Sequence, residues 1–197
     1  MALEQKAREN TVAATSNFTT EFGDLIDRNI STTQVDGFFN FSGEGPACDC
    51  LTAAHVVQAK GLSMTLLPGE LRLLWFTIGQ IPRQSRRANH HNMLIGDYGH
   101  IPNHSDYLDR HPDGDWQGEN VIKVGEGRFW GHPLGVMSVS EWEAQLRAEY
   151  NRGLDPADWK GIRPRDNGSP FTRGLVEFFD MAAVAEKVFD HRSSDPL

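Results

Sequence analysis

The sequence contains three residues of the types that carry out acyl transfer through a covalent intermediate: Cys50, Glu119 and His132. In a catalytic triad an imidazole activates the nucleophile, and a carboxylate orients that imidazole. A histidine and a glutamate alone would more simply be a strand-end histidine and a solvated carboxylate. A cysteine placed as a nucleophile changes this weighting, so the elements that carry the three residues decide the interpretation.

Residues 116–132 predict a β-hairpin that carries both the glutamate and the histidine. The apolar residues of its strands are Val121, Ile122, Val124, Phe129 and Trp130. A two-residue turn at Gly125-Glu126 pairs Glu119 with His132, so that their side chains lie opposite each other within hydrogen-bond reach. A loop of odd length would instead place them on opposite faces of the hairpin.

Residues 50–61 predict a buried helix that begins at the cysteine. The segment follows a Gly-Pro loop, is mostly small and apolar, and ends at Gly61, a typical C-cap. The positive end of the helix dipole favours the thiolate form of Cys50. A buried cysteine without a chemical role is the simpler alternative. Cys48, in the preceding loop, is interpreted as a bystander, because a disulfide across one residue would be strained.

The length of 197 residues, with 39% hydrophobic residues, predicts one folded unit. We assign a single catalytic domain to residues 17–189. Residues 1–16 are interpreted as a loose end, with a helix as the alternative, and residues 190–197 as a frayed tail.

Apolar spacing predicts an amphipathic helix at 17–28 and a strand at 71–78. Basic and histidine-rich residues predict an exposed loop at 81–92, and Pro, Asn and Asp predict a second surface loop at 99–115. A long loop beside a catalytic site often carries substrate contacts.

The net charge of −8 argues against a nucleic-acid-binding surface. No apolar run has the length of a membrane span, and the N-terminus lacks the apolar core of a signal peptide. The eight histidines show no zinc-ligand spacing beside the cysteine pair. We therefore expect no nucleic-acid or membrane partner, no metal and no cofactor.

Several of these motifs resemble those of the small bacterial protein-glutamine γ-glutamyltransferases, the transglutaminases that cross-link spore-coat proteins. The matching segments are Cys50-Leu51-Thr52-Ala53, Gly96-Asp97-Tyr98, Trp116-Gln117-Gly118-Glu119-Asn120-Val121-Ile122 and Gly131-His132. The cysteine motif alone is weak, whereas the hairpin motif is long and specific. The resemblance spans residues 45–150, and the sequence departs from the family before the cysteine and at 81–115.

The resemblance implies an α+β, papain-like cysteine transferase fold, in which a central antiparallel sheet packs against the nucleophile helix. It also implies calcium-independent formation of isopeptide bonds through a cysteine thioester. Carried over by motif, Cys50 is the nucleophile, His132 its base and Glu119 the partner of that base. Asp49 occupies the place of a family acidic residue, either as a second partner of His132 or as a carboxylate at the helix N-terminus.

Trp116 matches a family tryptophan that walls the site, and Trp130 and Trp75 are assigned to the same aromatic wall. The expected partners are substrate proteins with exposed glutamine and lysine side chains. The chain itself is expected to be a monomer, and by the resemblance to be cytoplasmic or spore-associated. A glutamine deamidase or other cysteine amidohydrolase with the same triad is the first alternative. A non-enzymatic binding module that retained the fold is the second, and a metal-dependent protein ranks last.

Overall fold

The computed structural model describes residues 2–21, 23, 29–39, 46–158 and 174–194. Its strands are β1 (Arg83–Ala88), β2 (Tyr98–Pro102), β3 (Gly118–Gly125), β4 (Arg128–Gly131), β5 (Gly135–Ser138) and β6 (Gly174–Phe179). They form one antiparallel sheet in the order β1-β6-β2-β3-β4-β5. The C-terminal strand β6 is therefore inserted between β1 and β2.

The helices are α1 (Ala2–Thr15), α2 (Cys50–Ser63), α3 (Glu70–Leu74), α4 (Tyr107–Arg110), α5 (Val139–Tyr150) and α6 (Met181–Ser194). Short 3₁₀ helices lie at Val35–Phe38, Ile78–Gln80 and Pro156–Asp158. None of the helices in the described ranges is long and apolar enough to cross a membrane.

Each face of the sheet packs against its own hydrophobic core. Because side chains alternate along a strand, β3 sends Ile122 to the core formed with α2 and α6, and Val121 to the core formed with α5. Trp142 of α5 is fully buried in the second core. The predicted α+β architecture, with an antiparallel sheet packed against the nucleophile helix, is confirmed.

Of the two alternatives for the N-terminal segment, a loose end or a helix, the structure shows the helix. α1 packs along α2 through small side chains, Ala7, Thr11 and Ala14, which are almost fully buried. This contact explains Gly61, which lies inside α2 and does not end it. A Cβ atom at Gly61 would lie 2.5 Å from the backbone nitrogen of Thr11. The glycine therefore permits the close approach of the two helices.

Gly61→Ala is expected to lower the free energy of unfolding by about 2 kcal/mol, because the added methyl overpacks the contact with α1. Helix propensity alone predicts the opposite sign, since alanine is favoured over glycine by about 1 kcal/mol in a helix interior. Urea unfolding monitored by circular dichroism measures the difference. Gly37→Ala is the matched control, because a Cβ atom there meets nothing within 4 Å. A Gly61→Ala protein as stable as the parent would contradict this account of the contact.

The Gly96-Asp97-Tyr98 motif joins α1 to the sheet. Asp97 is 1% exposed and accepts hydrogen bonds from Arg8 Nη1 at 2.8 Å and from the backbone nitrogen of Leu94 at 2.8 Å, with Arg86 on its second oxygen. Gly96 has φ of +85°, and a Cβ atom there would lie 3.2 Å from Arg8 Cα. The Gly96-Asp97 part of the motif is thus explained by packing and charge pairing.

The helix predicted at 17–28 is not present where the structure describes it. Residues 17–21 and 23 are not helical, and the remaining residues of that prediction lie outside the described ranges. The Phe18 ring instead packs edge-on against Phe39 and Trp130, at 5.4 and 5.5 Å between centroids.

The region between α2 and the hairpin differs most from the prediction. The expected strand at 71–78 is α3 followed by a 3₁₀ helix, and Leu73 and Phe76 of this apolar run are exposed. The expected loop at 81–92 contains β1, an edge strand rich in arginine, as exposed edges often are. The expected loop at 99–115 contains most of β2 and all of α4.

The C-terminal segment, predicted to be frayed from residue 190, is helical to Ser194, and residues 195–197 lie outside the described ranges.

Candidate active site

The candidate nucleophile lies where the sequence predicted it, at the first residue of α2. Asp49 is the N-cap of this helix, and its Oδ1 accepts a hydrogen bond from the backbone nitrogen of Thr52 at 2.7 Å. Of the two roles left open for Asp49, this contact is the helix N-terminal one. The cap fixes the direction of the first turn and therefore the position of the Cys50 sulfur.

The predicted hairpin is formed by β3 and β4, but its register differs from the predicted one. The two-residue turn is Glu126-Gly127, with Gly127 at φ of +59°, and β3 carries a bulge between Lys123 and Gly125. The bulge adds one residue to β3 relative to β4. Every pairing beyond it is therefore shifted by one position.

The shift separates the glutamate from the histidine across the hairpin. Val121 lies opposite Gly131, so the predicted pairing of Glu119 with His132 was wrong. Glu119 shares the α5 side of the sheet with Gly131, where a Cβ atom would lie 3.3 Å from Glu119 Cγ and 2.7 Å from the Trp142 ring. The glycine before the histidine thus leaves room for the glutamate and for this ring.

The glutamate reaches the candidate nucleophile directly. Glu119 is 4% exposed, and its side chain lies close enough to Cys50 for the two groups to interact. Asn120, the next residue of β3, donates from Nδ2 to the Cys50 sulfur at 3.0 Å, and its backbone N–H also faces that sulfur. The structure therefore joins Cys50 to two consecutive residues of the hairpin.

Burial controls the protonation of this pair. It raises the pKa of Cys50 above that of an ordinary thiol, and the charge of Glu119 adds to the rise, while hydrogen bonds from Asn120 act against it. Burial likewise raises the pKa of Glu119 well above the ordinary carboxyl range. Glu119 Oε1 has no hydrogen-bond partner in the described part of the chain, which also disfavours its charged form. Burial and the charge of Glu119 therefore favour the thiol form of Cys50, whereas the helix dipole favours the thiolate.

The histidine lies on the α2 side of the hairpin, next to the segment that precedes the nucleophile. The His132 ring is 5.3 Å from the Phe18 ring and stacks at 6.5 Å from Trp130, centroid to centroid. Burial lowers the pKa of His132, whereas hydrogen bonds to the backbone of Glu21 and Cys48 act in the opposite direction. The charge of Asp49 also favours the protonated ring. Asp49 therefore acts on the histidine electrostatically as well as capping α2.

Comparison with known proteins agrees with this geometry. A family model described as protein-glutamine gamma-glutamyltransferase matches residues 42–157, more than half of the chain. The chain belongs to this family. The matched range contains the nucleophile helix and the whole hairpin. No curated protein sequence matched the chain in a parallel comparison.

A solved structure of a family enzyme has a similar fold. The transglutaminase from Geobacillus stearothermophilus, without its C-terminal extension, superposes with a TM-score of 0.63 at 18% sequence identity. The match covers 94% of this chain and 95% of that chain. The similarity therefore extends beyond the range of the family model.

The three tryptophans of this chain that were predicted to wall the site lie in three different surroundings. Trp130 stacks near the imidazole and is buried. Trp116 packs half-buried against the core beneath α5, and its backbone oxygen accepts a hydrogen bond from Asn103. Trp75 lies in the core on the α2 side, with Lys187 Nζ 5.6 Å from its ring. Contact of these rings with a substrate stays a prediction, which the position of Trp130 favours most directly.

Two residues next to the candidate machinery were missed from the sequence. Asn120 belongs to the hairpin motif, but no role is predicted for it from the sequence. Its position as a polar residue next to the apolar residues of a strand could have indicated one. Phe18 was assigned to a helix, and no local pattern indicates that it reaches the histidine.

In the described ranges, no group of three or more His, Cys, Asp or Glu side chains is arranged to hold a metal ion.

Proposed function

We propose that this protein forms isopeptide bonds between glutamine and lysine side chains of proteins through a thioester on Cys50. The observation that supports this most directly is the proximity of the Cys50 thiol, at the start of α2, to the buried carboxyl of Glu119, with which it interacts electrostatically. A primary amide is a weak electrophile, so the attacking group must be a thiolate. The adjacent carboxylate offers an acceptor for the thiol proton.

In the first half-reaction, Glu119 in its carboxylate form accepts the proton of Cys50. The thiolate attacks the γ-carbonyl carbon of glutamine, and a C–S bond forms as the carbonyl oxygen becomes an oxyanion. We assign the stabilisation of this charge to backbone N–H groups at the start of α2 that are not bonded to Asp49, each donor contributing about 3 kcal/mol. Ammonia then leaves with the proton held by Glu119, and the γ-glutamyl thioester remains on Cys50.

In the second half-reaction, the uncharged amine of a lysine attacks the thioester carbon. The nitrogen loses a proton to Glu119, the C–S bond breaks, and the departing sulfur recovers that proton. The products are an isopeptide bond and the free enzyme. If water attacks instead, the product is glutamate, which is the deamidase reaction. The aromatic rings of Phe18 and Trp130 beside the site favour the amine by restricting water.

His132 takes a supporting role in this scheme. It hydrogen-bonds to the backbone of Glu21 and Cys48. The side chains that interact with the Cys50 sulfur are those of Glu119 and Asn120. We therefore assign the first proton transfer to Glu119 and the positioning of the pre-nucleophile segment to His132. This differs from the family-based assignment, in which the imidazole is the base.

Incubation with a casein-like protein and a fluorescent primary amine tests the proposal. We expect covalent incorporation of the amine together with ammonia release. Ammonia release without amine incorporation would identify a deamidase, and neither product would reject both reactions.

Amine incorporation is also expected to persist after dialysis against a chelator. Every proton and charge in the proposed steps is handled by side chains and backbone N–H groups, so calcium is not required. A calcium-dependent transglutaminase treated identically is the control. Activity that disappears on chelation and returns with calcium would contradict this scheme.

A further inference from the structure

The hydrogen bond from Asn120 to the nucleophile depends on which end of its amide faces the sulfur. Nδ2 of Asn120 donates to Cys50 Sγ at 3.0 Å. An amide –NH₂ stabilises a thiolate, whereas an amide oxygen at the same place would repel it. The two ends of the amide are nearly equal in size, so packing alone does not choose between them.

Donors from the neighbouring strand β2 make this choice. The Tyr98 hydroxyl donates to Asn120 Oδ1 at 2.7 Å. His100, which lies opposite Asn120 in the sheet, also hydrogen-bonds to its side chain. Rotating the amide by half a turn would place Oδ1 against the sulfur and would break the hydrogen bond that the Tyr98 hydroxyl donates to Oδ1. In the structure the hydroxyl donates to Oδ1, and Nδ2 donates to the sulfur.

We propose that Tyr98 is a positioning residue, which fixes the Asn120 amide so that it donates to the Cys50 sulfur. The inference rests on the proposed function in assigning Cys50 as the nucleophile. It adds Tyr98 of β2, which does not contact the sulfur but determines which end of the Asn120 amide faces it.

The Tyr98 ring is itself held by the helix that carries the nucleophile. His55 of α2 contacts it edge-on, at 5.2 Å between centroids and an interplanar angle of 67°. A charged group that interacts with the phenol is Arg83 of β1, and this interaction favours the guanidinium charge. The hydroxyl, the amide and the sulfur therefore form one chain of contacts between α2, β2 and β3.

The consequence is chemical as well as geometric. Burial and the carboxylates of Glu119 and Asp49 raise the pKa of Cys50. The hydrogen bonds from the Asn120 side chain and backbone lower it. Loss of the side-chain bond is therefore expected to raise the pKa of Cys50 and to reduce the thiolate fraction at every pH below that pKa.

Tyr98→Phe tests the proposal because it removes the hydroxyl and keeps the ring. The measurement is the rate of Cys50 alkylation by iodoacetamide between pH 7 and 9, with fragment mass spectrometry to separate Cys50 from Cys48. We expect a parallel fall in rate of up to about tenfold, equivalent to a rise of one unit in the thiol pKa. The Asn120→Ala variant should show a fall in the same direction. Because Tyr98 acts through the amide, adding Tyr98→Phe to Asn120→Ala should have no further effect.

Tyr150→Phe is the matched control, because it removes the hydroxyl of a different tyrosine, one that is buried and donates to Asp106. Its alkylation profile should equal that of the parent, and circular dichroism confirms folding of each variant. An unchanged alkylation profile for Tyr98→Phe would overturn the proposal. So would a Tyr98→Phe substitution that lowers the alkylation rate equally in the parent and in the Asn120→Ala variant. Alkylation needs no transferase turnover, so a parent protein without amine transfer would reject the proposed function and leave this test intact.

Discussion

Cys50→Ala is expected to abolish amine incorporation, lowering kcat/KM by at least about 10³-fold. The proposed reaction proceeds through a covalent bond to sulfur, and the other thiol, Cys48, is fully buried and cannot replace Cys50. The sulfur is only partly buried, so the substitution should leave the fold intact. Steady-state rates with a glutamine peptide and a fluorescent amine measure the loss.

Cys48→Ala is the matched control for this experiment. The Cys48 side chain is fully buried in the core on the α2 side, two positions before the nucleophile. Its removal should lower stability by about 1 kcal/mol through lost packing and leave kcat/KM close to that of the parent. Intact mass spectrometry of the parent with a glutamine peptide and no amine should detect an acyl adduct on Cys50. Equal losses in the two variants would argue against a specific nucleophile.

Glu119→Gln is expected to lower kcat/KM by about 10²- to 10⁴-fold. Glutamine has the same length and can still hydrogen-bond to the thiol, but it cannot accept its proton. The raised pKa of Glu119 brings its titration closer to the working pH of an enzyme, where a general base is most effective. The loss should appear in kcat as well as in kcat/KM, because proton transfer belongs to the chemical step.

The pH profile provides an independent reading of the same residue. Since the carboxylate form is required, kcat/KM of the parent should rise with pH through a value above the ordinary carboxyl range. In Glu119→Gln this rising limb should disappear. Glu126→Gln, an exposed carboxylate in the turn of the same hairpin, is the control and should behave as the parent.

His132→Gln distinguishes the two assignments of the base. If Glu119 takes the proton, the histidine variant should lose less activity than Glu119→Gln and keep the rising limb. A larger loss in the histidine variant, with a retained profile in Glu119→Gln, would return the role of base to the imidazole.

The nucleophile helix and the existence of the hairpin could be predicted because their signals are local. A helix start is marked by a capping carboxylate and a run of small apolar residues, and a hairpin by turn residues between β-branched runs. Both lie where the sequence predicted them. The helix Ala2–Thr15 gave no such signal, since its buried face consists of alanine and threonine and its arginine is paired with a distant aspartate.

The register of the hairpin could not be predicted, because a bulge is decided by how the two strands pack on the rest of the sheet. One extra residue in β3 changes the neighbours of every residue beyond it. It moves Glu119 away from the histidine and leaves Glu119 in contact with the cysteine. The same lack of local signal applies to β1, in which Arg83 packs on the Phe179 ring and Arg86 pairs with Asp97.

By itself, the sequence determined which residues are available for chemistry and which elements carry them, because residue type and local spacing are properties of short segments. Only the tertiary structure decided which of these side chains meet. Contacts between α2, β2 and β3 join residues seventy positions apart, and burial at that junction, which no short segment specifies, raises the pKa of both the thiol and its carboxyl partner.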